Sequence, residues 1–192
     1  MKPFNCWSTA YEFIAKGEVA KAVALCEKAP CSTSVECQRF LGWQYYEKDA
    51  MDRALSWFFK AAEQGDAEAH YGIGSVHFVR RDFLAALQSY ERAADQGCPK
   101  AYGWIGYIYQ LGLGVPRSVE MAIENYKKSA AHGYILADRA LIHLTFQQGN
   151  FFNKVFVLPK FFYILIKAAI IAYRNINDER LAGIPNAFEK KK

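Results

Sequence analysis

One phrase recurs along this chain and limits what it can become. Ala54-Leu55-Ser56-Trp57-Phe58-Phe59-Lys60-Ala61-Ala62-Glu63-Gln64-Gly65 returns as Ala85-Ala86-Leu87-Gln88-Ser89-Tyr90-Glu91-Arg92-Ala93-Ala94-Asp95-Gln96-Gly97. A third copy runs Ala122-Ile123-Glu124-Asn125-Tyr126-Lys127-Lys128-Ser129-Ala130-Ala131-His132-Gly133. The closing glycines lie 32 and then 36 residues apart. That is the period of a two-helix repeat, whose apolar face is buried only by stacking on its neighbours. The fold expected is all-α, and a chain of this length holds about five such units.

Taken in order, the units fall near 3–34, 35–66, 67–98, 99–134 and 135–174, one repeat domain over 1–174. In the first, Trp7, Ala10, Phe13 and Ile14 recur at helical spacing, Gly17 breaks the run, and Val19 to Ala29 resumes it. Lys28-Ala29 precedes Lys60-Ala61 by 32 residues, so the register holds where the letters do not. The second unit pairs Val35–Glu47 with Met51–Gln64, the third Ala67–Val79 with Phe83–Gln96. Ser34, Asp49 and Asp82 are the expected N-caps, because their side-chain oxygens accept from the unpaired N–H groups of a first turn. Pro99 suits the first turn of the fourth unit. Its first helix reaches Gln110, and the loop Leu111–Ser118 leads into Val119–His132.

Leu41-Gly42, Ile73-Gly74 and Ile105-Gly106 stand at 32-residue intervals within the first helices. A glycine inside a helix costs about 1 kcal/mol relative to alanine. Repeating it in one register implies a close approach by the paired helix. With Gly112-Leu113-Gly114-Val115-Pro116 and Lys60-Ala61-Ala62-Glu63-Gln64-Gly65, the pattern resembles the Sel-one-like repeat family, a relative of the tetratricopeptide repeats. The match is strong over 35–133 and weak over 3–34. The resemblance implies a right-handed α-solenoid that binds proteins or peptides without catalysing a reaction. Such proteins serve in secretion, polysaccharide assembly, signalling and host interaction.

The fifth unit departs from the pattern. Leu141-Ile142 replaces the Leu-Gly pair, and after Pro159 the chain is apolar nearly all round through Tyr173, apart from Lys160 and Lys167. An end repeat ordinarily presents a polar outer face. Pro159, Lys160 and Lys167 argue against a membrane span here. Two readings stay open: the tail 175–192 folds back as a cap with Leu181, Ile184 and Phe188, or Phe161, Phe162, Leu165 and Ile170 form a homodimer or partner contact. The formal charge of +5 resides wholly in 151–192, where eight Lys or Arg face Asp178, Glu179 and Glu189. A solvated basic end is the expectation, with an anionic membrane surface as the lesser alternative and no nucleic acid.

If the first helices line a concave face, as the resemblance implies, Arg39, Trp43, Tyr46, Tyr71, Tyr107, Gln110, Arg139 and His143 project into it. Arg, Trp and Tyr are enriched at binding hot spots, and the competing reading is that several of the aromatics pack between hairpins. Chemistry has little footing. His70 and His77 share a helix face without further ligands, Gly72-x-Gly74 is no phosphate loop, and no catalytic triad or carboxylate pair stands out. No cofactor or metal is expected. Cys26, Cys31 and Cys37 lack a fourth zinc ligand. The five cysteines, an odd number without a C-x-x-C, read as buried free thiols in a reducing compartment. No signal peptide is visible at the start, so the expected location is cytoplasmic. The expected role is a non-catalytic interaction scaffold for a protein or peptide. The alternatives are an immunity protein against a toxin and a peripheral membrane assembly factor for polysaccharide or secretion machinery.

Overall fold

A computed structural model describes residues 5–148 together with Pro159, 162–167 and Ala169. The helices are α1 (Cys6–Ala15), α2 (Val19–Cys26), α3 (Val35–Glu47), α4 (Met51–Glu63), α5 (Ala67–Val79), α6 (Phe83–Asp95), α7 (Lys100–Leu111), α8 (Val119–Ala131) and α9 (Ile135–Gln148). A single 3-10 turn, Cys31–Thr33, precedes α3, and residues 162–167 are helical. Among the described residues the fold is all-α, a succession of helical hairpins. The chain divides into two compact units, Met1–Cys98 and Pro99–Lys192.

Each boundary has a local cause. Asn5, Ser34, Asp66, Asp82 and Ser118 accept from the backbone N–H three residues on, at 3.1–3.4 Å. At the far end of the second helices, Gly65, Gly97 and Gly133 take φ of +85°, +90° and +87°. There the chain reverses with a backbone bond such as Cys98 N–H to Ala93 O at 2.8 Å. Inside the hairpins of the second and third repeats, Asp49 and Arg81 adopt the same left-handed geometry, φ 59° and 63°. Asp49 is therefore the reversing residue of its turn and not the cap of α4: Ala50 holds that position, without a side-chain bond.

In the first unit, α1 pairs with α2, α3 with α4 and α5 with α6, and α3 lies between α1 and α5. Ala10, Ala22, Cys26, Cys31, Cys37 and Leu41 form one core around the first repeat. Ala54, Phe58, Ala61, Ala69, Ile73 and Val76 form the next. The alanines let the helices close, and the aromatics fill what remains. The expected small-residue register has a definite purpose. An added Cβ would meet Phe58 at 2.5 Å from Gly42, Tyr90 at 2.7 Å from Gly74, and Tyr126 at 2.9 Å from Gly106. Each glycine receives the face of a ring from its partner helix, at positions 58, 90 and 126 of the recurring phrase.

The second unit builds the α7–α8 hairpin the same way and packs α9 on α8 around Ala122, Tyr126, Ala137 and Leu144. No described helix is long and apolar enough to cross a membrane. Phe161, Ile170 and the tail 175–192 lie outside the described residues.

The cysteines correct the sequence reading. Cys6 and Cys31 are joined by a disulfide across 25 residues, while Cys26, Cys37 and Cys98 are buried and outside any disulfide. An odd total conceals one bonded pair, because pairing depends on which helix ends meet. The inference of a reducing compartment loses its premise.

Candidate functional site

The residues expected to face a partner divide into structural ties and accessible groups. On α3, the Arg39 guanidinium donates through Nη1 to Asp66 Oδ2 at 2.6 Å and lies 3.5 Å from Glu68 Oε2. Asp66 is nearly buried and its other oxygen caps α5. Arg39 thus clamps the first helix of one repeat to the start of the next, with its own side chain 29% exposed.

Trp43 sits one turn on, edge-on to Phe58 at 5.0 Å and to Tyr46 at 5.5 Å, and 5.9 Å from Tyr71. Tyr71 is buried and reaches Tyr90 at 5.6 Å. Behind them Tyr90 O–H donates to Ser75 Oγ at 3.4 Å, and Ser75 donates to the Tyr71 carbonyl at 3.0 Å. Burial pushes the Tyr46 and Tyr90 phenols above their ordinary range, since a phenolate would lack solvation there. These rings form one continuous layer. Its accessible edge is Trp43 and Tyr46, both half-buried, about one and two turns along α3 from Arg39.

In the second unit, Tyr107 is half-buried and meets Trp104 edge-on at 6.0 Å. Gln110 takes a structural part. Its Oε1 accepts from Tyr126 O–H at 2.6 Å, and its carbonyl accepts from Arg117 Nε at 3.0 Å, which holds the α7–α8 loop. Arg139 and His143 are one turn apart on α9 and exposed. In the segment 162–167, Ile164 turns inward, whereas Phe162 and Leu165 are 63% and 49% exposed. Lys167 Nζ lies 3.6 Å from Asp138 Oδ2 of α9.

A second polar tie escaped the sequence reading. Gln64 Nε2 donates to Gln38 Oε1 at 2.7 Å, and Gln38 donates to the Ser32 carbonyl at 2.9 Å. The glutamine before the closing glycine thereby joins the end of α4 to the start of α3. Its place in the recurring phrase was the available signal. Among the described residues no group of three or more His, Cys, Asp or Glu is arranged to hold a metal. His77 Nδ1 is 3.8 Å from Asp82. His70 is held below the usual imidazole range by burial and then by the Arg92 charge.

Comparison with known proteins agrees with this construction. The Sel1 repeat model matches residues 35–66, 67–98 and 99–134. The ERAD-associated E3 ubiquitin-protein ligase component HRD3 of Candida glabrata is 32% identical over 79 residues, 41% of this chain and 10% of that protein. The chitin synthase regulator SKT5 of Saccharomyces cerevisiae is 35% identical over 89 residues, 42% of this chain and 13% of that protein. The chain thus spans about a tenth of the length of these relatives. The solved structure of c5321, a protective antigen of uropathogenic Escherichia coli displaying an SLR fold, superposes with a TM-score of 0.71 at 24% identity. It covers 85% of this chain and 38% of that one, a likeness of fold. Three consecutive family matches, capped and closed in one register, make this chain a member of the Sel1 repeat family.

Proposed function

We propose that the chain is a non-catalytic adaptor that binds a protein or peptide through the face of its first helices, with Trp43 and Tyr46 as aromatic contacts in the first unit. The family match carries this reading. It is supported by relatives named as a ligase component and a synthase regulator, both roles exercised alongside an enzyme. Half-buried aromatic rings on the same helix as Arg39 suit a partner side chain, because they offer large apolar area and lose little freedom on binding. Arg139 and His143 on α9 give the second unit an exposed polar pair of its own.

A photo-crosslinking residue at Tyr46, compared with one at exposed Glu63 of α4, tests this reading in an extract of the native source. The expected result is a discrete protein adduct from position 46, displaced by excess unmodified chain, and none from position 63. A displaceable adduct from position 63 alone would move binding to the second helices.

A second reading concerns assembly. The exposed Phe162 and Leu165 favour a contact with a second copy or a partner through the segment 162–167.

A further inference from the structure

The N-terminal core holds four of the five cysteines in one apolar cluster, with Cys6 packed against Cys26, Cys31 and Cys37. Cys6 and Cys31 are already bonded, which ties α1 to the turn before α3. Cys26 closes α2 and Cys37 lies in the first turn of α3. Their Sγ atoms are 2.6 Å apart, and both side chains are fully buried. Two thiols that do not bond keep a greater distance, while a disulfide holds its sulfurs at about 2.05 Å. A displacement of about half an ångström closes the pair.

We propose that Cys26 and Cys37 are a second disulfide-forming pair: Cys6–Cys31 braces the first repeat internally, and Cys26–Cys37 fastens it covalently to α3 of the second. The family match begins only at residue 35, so the first repeat lacks the recurring phrase that seats the others. The Cys26–Cys37 crosslink adds a covalent tie to the apolar core that packs this repeat against α3.

The chemistry is thiol–disulfide exchange with a small disulfide such as glutathione disulfide. The thiolate of one cysteine attacks a sulfur of the donor and releases one glutathione thiolate. The second cysteine then attacks the resulting mixed disulfide, forms the Sγ–Sγ bond and releases the other. Two protein protons and two electrons pass to two glutathione molecules. Burial raises the Cys26 thiol well above its ordinary range, so exchange waits on local opening of the α2 end.

The full chain would be incubated with excess glutathione disulfide in mild denaturant, returned to buffer, then unfolded and alkylated for intact-mass and peptide mapping. Before oxidation three cysteines, Cys26, Cys37 and Cys98, lie outside any disulfide. In the expected product neither Cys26 nor Cys37 is alkylated, the pair has lost about two hydrogens, and a peptide joins Cys26 to Cys37, whether or not Cys98 has taken up glutathione. Cys98, also buried, reports whether the chain opened at all. Separate glutathione adducts on Cys26 and Cys37, or both remaining as thiols while Cys98 carries glutathione, would overturn the proposal. Cys37→Ala supplies the second arm: it must leave Cys26 able to form only a glutathione adduct. Loss of the mapped crosslink in that variant supports the assignment, and a new Cys26–Cys31 peptide in the parent chain refutes it.

Discussion

The ring of Phe58 stands so close to Gly42 that a Cβ there would lie 2.5 Å from two of its carbons, and Gly72 meets the same ring at the same distance. One aromatic of α4 thus fills the groove between two first helices. A repeat pair can stack this tightly only where both neighbours present bare backbone.

Alanine at these positions separates crowding from helix propensity. Gly42→Ala must displace a fully buried ring, and overpacking of this kind costs about 1–3 kcal/mol. At Gly103 an added Cβ meets only Ser129 Oγ, at 3.5 Å, an ordinary contact. Gly103→Ala should therefore gain up to about 1 kcal/mol from helix propensity alone. Urea unfolding midpoints are expected to fall for the first substitution and to hold or rise for the second.

The Arg39–Asp66 clamp makes a second prediction. Asp66→Ala removes a cap and leaves Arg39 without its nearest partner, and a loss of about 2–3 kcal/mol is expected. Asp66→Asn keeps an acceptor for the Ala69 N–H but loses the charge, so it should cost roughly half as much. A double-mutant cycle with Arg39→Ala should return a coupling of about 1 kcal/mol or more, above the range of exposed pairs. A coupling near zero would make the contact incidental.

The helical hairpins, two of the five side-chain caps and the glycine register follow from spacing, because a two-helix repeat writes its period into small and aromatic residues. Ser34 and Asp82 cap as their positions predict. What spacing does not carry is which side chains meet across repeats. Arg39 reads as a hot-spot residue on its own helix, yet its partner stands 27 residues later at a helix start. Gln110 is likewise occupied by Tyr126, and Tyr71 lies inside the ring layer. The left-handed Asp49 is invisible for a different reason. Glycine usually announces that conformation, and here an aspartate adopts it.

His70 gives the fold a pH dependence with a definite sign. Burial and the Arg92 guanidinium lower its proton affinity in the folded state, with Asp66 pulling the other way. The unfolded chain therefore takes up the proton first as pH falls. The contribution is complete above the unfolded imidazole value of about 6.5 and is lost as pH falls from there through the lower folded value. His70→Gln is expected to flatten the change in urea midpoint between about pH 7.5 and pH 5.5. A slope unaltered by that substitution would assign the dependence to other groups.

The segment 162–167 makes the last prediction. Its ion pair with Asp138 of α9 fixes which side faces inward: Ile164 is 7% exposed, while Tyr163, Leu165 and Ile166 are 66%, 49% and 60% exposed. Adjacent apolar side chains left in water favour association, each fully buried one contributing about 1.5–3 kcal/mol. Light scattering of the full chain should therefore report a mass above that of one copy at micromolar concentration. Leu165→Glu should lower it to that of a single copy while the far-ultraviolet circular dichroism stays helical, because a charge at this outward position opposes burial but leaves Ile164 in place. A chain that is monomeric from the start would remove self-association as the use of this surface. A mass unchanged by Leu165→Glu would locate the contact elsewhere on the molecule.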